Sequence, residues 1–200
     1  MNDRIAGLLE SVRSLEGEIE SELSTRRKEF GYRVEEGVIH FEREVILLHR
    51  KFKKSLVKFL LDSDLVNVLT SPVIYSLIVP LVLLDLMLTL YQRVCFPGYG
   101  IPRVDRSKYI ALDRGRLHYL NFLERLNCDY CAYANGLIAY AREIAGRTEQ
   151  YFCPVKHALK AFGAHAHYAE FLEYGDAESY HRDLKLLRDK LKVVPSAKAG

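Results

Sequence analysis

From Leu65 to Tyr91 the chain carries its most apolar stretch, and no other feature narrows the possible folds as much. The centre, Val73 to Leu90, is 18 residues with one charge, Asp85, and one proline, Pro80. As a helix rising ~1.5 Å per residue it is ~27 Å long, close to the ~30 Å of a hydrocarbon core. Asp85 costs ~2.5–3.5 kcal/mol near the centre of an inserted helix. Apolar neighbours returning about 0.3 to 0.6 kcal/mol each offset that. The stretch therefore predicts membrane contact. The alternative is a buried central helix in a soluble bundle.

Basic residues flank the stretch on both sides: Arg50, Lys51, Lys53, Lys54 and Lys58 before it, Arg93, Arg103 and Arg106 after it. Lysine and arginine placement thus gives no direction of insertion. A hairpin kinked near Pro72 or Pro80, with both flanks on the cytoplasmic side, accounts for this pattern. In lipid, Asp85 is expected to face another helix or a second copy of the chain.

Elsewhere the apolar residues step by three or four. Ile5, Leu8, Val12, Leu15, Ile19 and Leu23 form one run, and Phe30, Val34, Val38, Phe41, Val45, Leu48 and Phe52 continue it. That period predicts helix, with Gly31 and Gly37 marking a possible break. Such a stripe is a core or coiled-coil face, so residues 5–52 are expected to hold a protein partner or a second copy. Cys95 to Pro102 reads as a stiff turn-rich connector. Tyr109 to Leu112 reads as a short strand or extended segment, and Asp113 as the start of a short helix with Leu117, Leu120 and Leu123. From Asn127 the pattern is helical to the end. Gly146 and Gly175 sit where helices stop, and Asp176 is placed to cap the last one.

Composition excludes some classes of function. Hydrophobic residues are 49% and charged residues 28%, as in folded chains. The net charge of +3 comes without a clustered reading motif, so no nucleic acid partner is expected. The start, Met1-Asn2-Asp3-Arg4, opens directly into a charged amphipathic pattern, so no secretory signal is expected. The four cysteines are then expected to be reduced, which favours metal or redox roles over disulfides.

Cys128 and Cys131 are followed, after 21 residues, by Cys153 and His157, giving C-x2-C-x21-C-x3-H. These half-site spacings suit one four-coordinate ion. Pro154 fits a first helical position with Cys153 as N-cap, and Asn127 fits the cap of a helix starting at Cys128. Thiolates are favoured at helix starts. Zinc suits this Cys₃His set, with iron or an iron–sulfur cluster as the alternative. A dithiol redox pair at Cys128 and Cys131 is another. Glu143 and Glu149 are the nearest carboxylates, read as hydrogen-bond partners of the ligands, alternative ligands or a base, or as salt-bridge partners of Arg142 and Arg147. Being six apart, they cannot both aim at one point from a helix. His165 and His167, two apart on a helix, point away from each other. His40, His49, His118 and His181 have no companions in sequence.

The block from Cys128 to Tyr140, with Arg147 to His157 after it, resembles a family of uncharacterised bacterial proteins of similar length. The resemblance covers roughly residues 92 to 175 and implies a bacterial origin, with no activity attached. The Cys-x3-His half is also similar in spacing to three-Cys, one-His iron–sulfur domains.

The expected fold is all-α: an amphipathic helical arm (1–64), an apolar, membrane-contacting segment (65–94), a helical metal-binding domain (95–194) and a disordered tail (195–200). The expected role is a membrane-associated zinc or iron protein serving assembly, placed on the cytoplasmic side of the bacterial inner membrane or in the cytoplasm. The alternatives are an electron-transfer or redox protein and a metalloenzyme with an open coordination position.

Overall fold

The computed structural model describes residues 3–35, 38–159 and 163–193. The fold is predominantly all-α, 71% helical with two short strands. The chain forms two compact units, Met1–Asp64 with Leu112–Asp129, and Leu65–Ala111 with Tyr130–Gly200. Residues 112–129 thus join the amino-terminal part, whereas the sequence reading placed them with the carboxy-terminal domain. The tail expected at 195–200 lies outside the described residues.

In the first unit, α1 (Asp3–Glu29) is held along its surface by ion pairs from Arg26 to Glu22 and from Arg27 to Glu20. Its helical period does not continue as predicted. Gly31 takes φ +61°, a left-handed conformation that favours glycine and ends the helix. Two strands follow, β1 (Tyr32–Glu35) and β2 (Val38–Phe41), paired antiparallel from Tyr32 opposite Phe41 to Glu35 opposite Val38. Val34, Val38 and Phe41 satisfy a helical step, but β-branched and aromatic residues beside Gly31 favour the hairpin. Gly37, the other expected break, is outside the described residues. Then come α2 (Arg43–Lys51) and α3 (Leu56–Leu61), whose Ser55 side chain caps the Lys58 N–H. His49 packs edge-on against Phe41 and Tyr119, and His118 against Phe41, so these two histidines belong to an aromatic cluster.

The second unit holds the core. Helix α4 (Leu65–Ser76) runs into α5 (Ile78–Tyr99) with a break at Leu77. Pro80 has no N–H to give the Ser76 carbonyl, so the backbone ladder is interrupted where the sequence placed a kink. Helix α5 continues through Pro97, beyond the predicted connector start, and ends on Gly100 at φ +67°, with the Ile101 N–H closing on the Phe96 carbonyl. Residues 100–111 return in extended and 3₁₀ form, and no strand forms at Tyr109–Leu112.

Helix α6 (Phe122–Phe152) is 31 residues long. Asn121 starts it, not Asn127: the Asn121 carbonyl oxygen of the side chain accepts from the Glu124 N–H, and the Glu124 carboxylate accepts from the Asn121 N–H. Gly146 lies inside this helix and is buried, so the stop expected there does not occur. Phe96, Val104, Ile110, Leu137, Tyr140, Ile144 and Leu191 form the core. Among the described residues between α6 and α7 (Ala177–Val193), the only helical turn is a 3₁₀ turn at Ala166–Glu170. Asp176 caps α7 through the Ser179 N–H, as the sequence predicts.

Candidate functional site

The four predicted ligands do not converge. Cys128 and Cys131 sit inside α6, one turn apart, and Cys153 follows its last residue. A continuous helix rises ~1.5 Å per residue, which puts Cys131 and Cys153 ~33 Å apart. Thiolates sharing a zinc ion each lie ~2.3 Å from it. Neither half-site begins a helix: Cys128 is seven residues past Asn121, and Pro154 ends α6 instead of opening a new one. Backbone bonds from Leu172 N–H to the Pro154 carbonyl and from Lys156 N–H to the Leu172 carbonyl hold this segment extended. His157 is exposed, its ring stacks on Tyr168, and its N–H donates to the Tyr168 hydroxyl. Among the described residues, no group of three or more His, Cys, Asp and Glu side chains is arranged to hold a metal ion.

What the second unit does assemble is a set of acid–histidine pairs on α6. Glu143 accepts from Arg147 Nε at 2.8 Å and lies 3.2 Å from His167 Nε2. Arg147 also donates to the Pro102 carbonyl at 2.7 Å. The His167 hydrogen bond holds the Glu143 carboxyl down to about 2, against burial, and Arg147 adds to the effect. One turn and a half further on, Glu149 meets His165 Nε2 at 2.9 Å. His165 lies across Gly146, where a Cβ would come within 2.9 Å of the ring. Arg142 donates to the Gly163 and Ala164 carbonyls.

These bonds strap residues 163–168 onto α6. Glu143 is poorly suited to act as a base, because a carboxylate ionised at about 2 and covered by Arg147 has little proton affinity at neutral pH. The i, i+4 spacing of Glu143 and Arg147 is legible in the sequence. The two histidines were missed because 165–167 was read as helix. His165 is extended at ψ 166°, so the following turn can carry both rings to the same side.

The other feature is the outer face of α4–α5. Leu81, Asp85, Leu88, Gln92 and Phe96 step by three or four and turn inward. Asp85 accepts a forked pair of bonds from Arg106, the closest at 2.7 Å, and a bond from the Tyr133 hydroxyl at 3.0 Å. Asp85 therefore faces α6, as expected of a carboxylate in such a segment. Gln92 is buried, donates to the Tyr140 hydroxyl and accepts from the Val104 N–H at 2.7 Å. The opposite face is apolar and open. Fifteen large hydrophobic side chains between Leu65 and Val94 are 39–70% exposed, among them Val79, Leu83, Leu86 and Leu90. Mean hydropathy over the best window reaches 2.3, and none of that window is buried in protein. No family model matches the chain, and neither a curated protein nor a solved structure matches it.

Proposed function

We propose that this protein is a membrane-associated assembly module, binding lipid through the outer face of α4–α5. One observation carries the reading: the polar residues of α5, Asp85 and Gln92, are turned inward beside Leu81, Leu88 and Phe96, and its outer face is aliphatic and open. A buried core helix would have protein over that outer face. Complete burial of a Leu, Ile, Val or Met side chain is worth about 1.5–3 kcal/mol. Fifteen that are about half exposed then offer roughly 10–20 kcal/mol, comparable with or above the ~4–15 kcal/mol cost of association. A contiguous apolar surface of this size is not left bare by monomeric soluble proteins. The metal-dependent alternatives draw no support from the geometry, since their ligands are separated along α6.

The test is flotation with vesicles of phosphatidylcholine and phosphatidylglycerol. The wild-type chain is expected to float, and a Leu83→Asp, Leu86→Asp double variant to remain at the bottom while keeping its helical circular dichroism. A wild-type protein that is fully soluble, monodisperse without detergent and absent from the vesicle fraction would sink the reading.

The assembly half rests on α1. Leu8, Val12, Leu15, Ile19 and Leu23 are 46–61% exposed along one stripe. In heptad terms Ile5, Val12 and Ile19 take one seam position, with Leu8 and Leu15 at the other. β-Branched residues at the first and leucine at the second favour two parallel strands, so the occupant is a second copy of this chain. Sedimentation should find a dimer that Leu15→Asp dissociates. A wild-type monomer at tens of micromolar would overturn this part.

A further inference from the structure

We infer that α5 lies in the plane of the membrane, with its apolar face in one leaflet, and does not cross the bilayer. The inference rests on the lipid-binding reading above and concerns the second unit alone.

Helices α4–α5 and α6 run side by side and parallel from Ile74 to Tyr99. Tyr130 donates to the Ile74 carbonyl, Tyr133 meets Asp85, Tyr140 meets Gln92, Tyr91 pairs with Thr148, and Tyr99 stacks on Tyr151. Parallel neighbours need a connection that travels back the whole way. The first part of that connection, residues 100–111, runs down the helix pair. Val104 is bonded to Gln92, Arg106 to Asp85, and Ile110 lies against Gly136, where a Cβ would come 2.9 Å from its Cα.

The return segment decides the orientation. Its Arg103, Arg106, Ser107 and Lys108 are exposed, and its backbone is non-helical over most of its length. Asp85 lies ~5 Å along the axis from the middle of Val73–Leu90. A crossing helix would therefore carry the Arg106 guanidinium to near mid-bilayer depth, with Ser107 and Lys108 beside it. Exposed irregular backbone does not occur at that depth, and an exposed arginine there is costly. Laid flat, the same unit has no such conflict. Leu83, Leu86 and Leu90 point into the acyl boundary. Asp85 and Gln92 point the opposite way, Arg106 stays on Asp85, and the exposed Arg103 and Lys108 lie outside the acyl boundary. A helix with one apolar face buried ~5–10 Å and a polar face above it is the interfacial arrangement.

The experiment is depth-dependent quenching on the full chain. The native cysteines are replaced by serine, and single cysteines at Val79, Leu83, Leu86 and Leu90 carry a fluorophore. Vesicles are equimolar phosphatidylcholine and phosphatidylglycerol, doped with lipids bearing a nitroxide at shallow or deep positions. All four labels are expected to be quenched more by the shallow nitroxide and to report one common depth. A label at Ser107 should remain reactive to an impermeant reagent added outside. A depth that deepens from Val79 to Leu83 and becomes shallow again by Leu90 would overturn the in-plane orientation while leaving lipid binding intact. Labels that no lipid nitroxide quenches would overturn the lipid-binding reading itself. The two failures are thus distinguishable.

Discussion

Gln92 offers the most direct test of how α5 is oriented. Its side chain is 3% exposed and joins three elements: α5 itself, Tyr140 on α6 and Val104 on the return segment. Gln92→Leu keeps the volume and removes both bonds. The Val104 N–H, on a residue 7% exposed, is then left without its acceptor, which costs about 1–3 kcal/mol. Loss of the donor to the Tyr140 hydroxyl adds about 0.5–1.5 kcal/mol. Burying a more apolar side chain returns about 1 kcal/mol. The expected net loss is about 1–3 kcal/mol. The paired variant is Leu83→Gln on the open face, where the side chain is 56% exposed and the expected change is within about 0.5 kcal/mol.

Urea unfolding in mild detergent, followed by near-ultraviolet circular dichroism from the tyrosines around the core, measures both variants. With a slope of about 1–3 kcal/mol/M, Gln92→Leu should lower the midpoint by roughly 1 M without changing the slope. Leu83→Gln should leave the midpoint in place and weaken vesicle binding. The reverse pattern, a neutral Gln92→Leu with a costly Leu83→Gln, would mean that the outer face is packed on protein and that α5 is turned the other way.

Three further outcomes follow from the same geometry. Glu143 ionises at about 2 in the folded chain against an ordinary 4.5, a depressed value, so its contribution of about 3 kcal/mol is complete above pH 4.5. That contribution should fade as the pH drops from 4.5 through 2, and the midpoint of Glu143→Gln should fall less steeply than wild type across that window. Gly136→Ala would set a Cβ 2.5 Å from the Tyr109 carbonyl and 2.9 Å from the Ile110 Cα. Helix propensity returns about 1 kcal/mol, but both obstacles are backbone, so a net loss of about 1–2 kcal/mol in a thermal melt is expected. Elemental analysis should find well below one zinc or iron per chain, and Cys153→Ser, at an exposed position, should leave stability within about 0.5 kcal/mol. Stoichiometric metal lost on that substitution would refute the separation of the cysteines.

The all-α class, the apolar segment and the Asp176 cap were legible because each depends on local chemistry; of the hairpin expected near Pro72 or Pro80, the structure has a break at Leu77, and Pro72 lies inside α4. Hydropathy over Val73–Leu90 needs no partner to be read, and Asp176 finds its N–H three residues on. The hairpin was less legible because Val34, Val38 and Phe41 fit two periods. What separates the readings is the left-handed Gly31. For the candidate site, the cap expected from the sequence was Asn127, and the helix starts instead at Asn121. Asn121 is followed at the third position by Glu124, which completes a reciprocal box, and Asn127 is followed there by Tyr130, which cannot.

That choice of cap determines the chemistry. A ligand motif of fixed spacing constrains geometry only if the intervening chain can turn back on itself. Between Cys131 and Cys153 the residue expected to stop a helix is Gly146, and Gly136 is a second glycine in the same span. Both are buried within α6, and each makes room for something crossing it: the return segment at Gly136 and the His165 ring at Gly146. A glycine that ends a helix and one that admits a neighbour look alike in one dimension. They differ in φ, which is in the left-handed region at Gly100 and not at these two positions. With no turn available, the cysteines move apart. The carboxylates six apart, which cannot aim at one point, each take their own histidine from the strap above them. The same helix that separates the thiols thus provides the rail on which residues 163–168 are fixed.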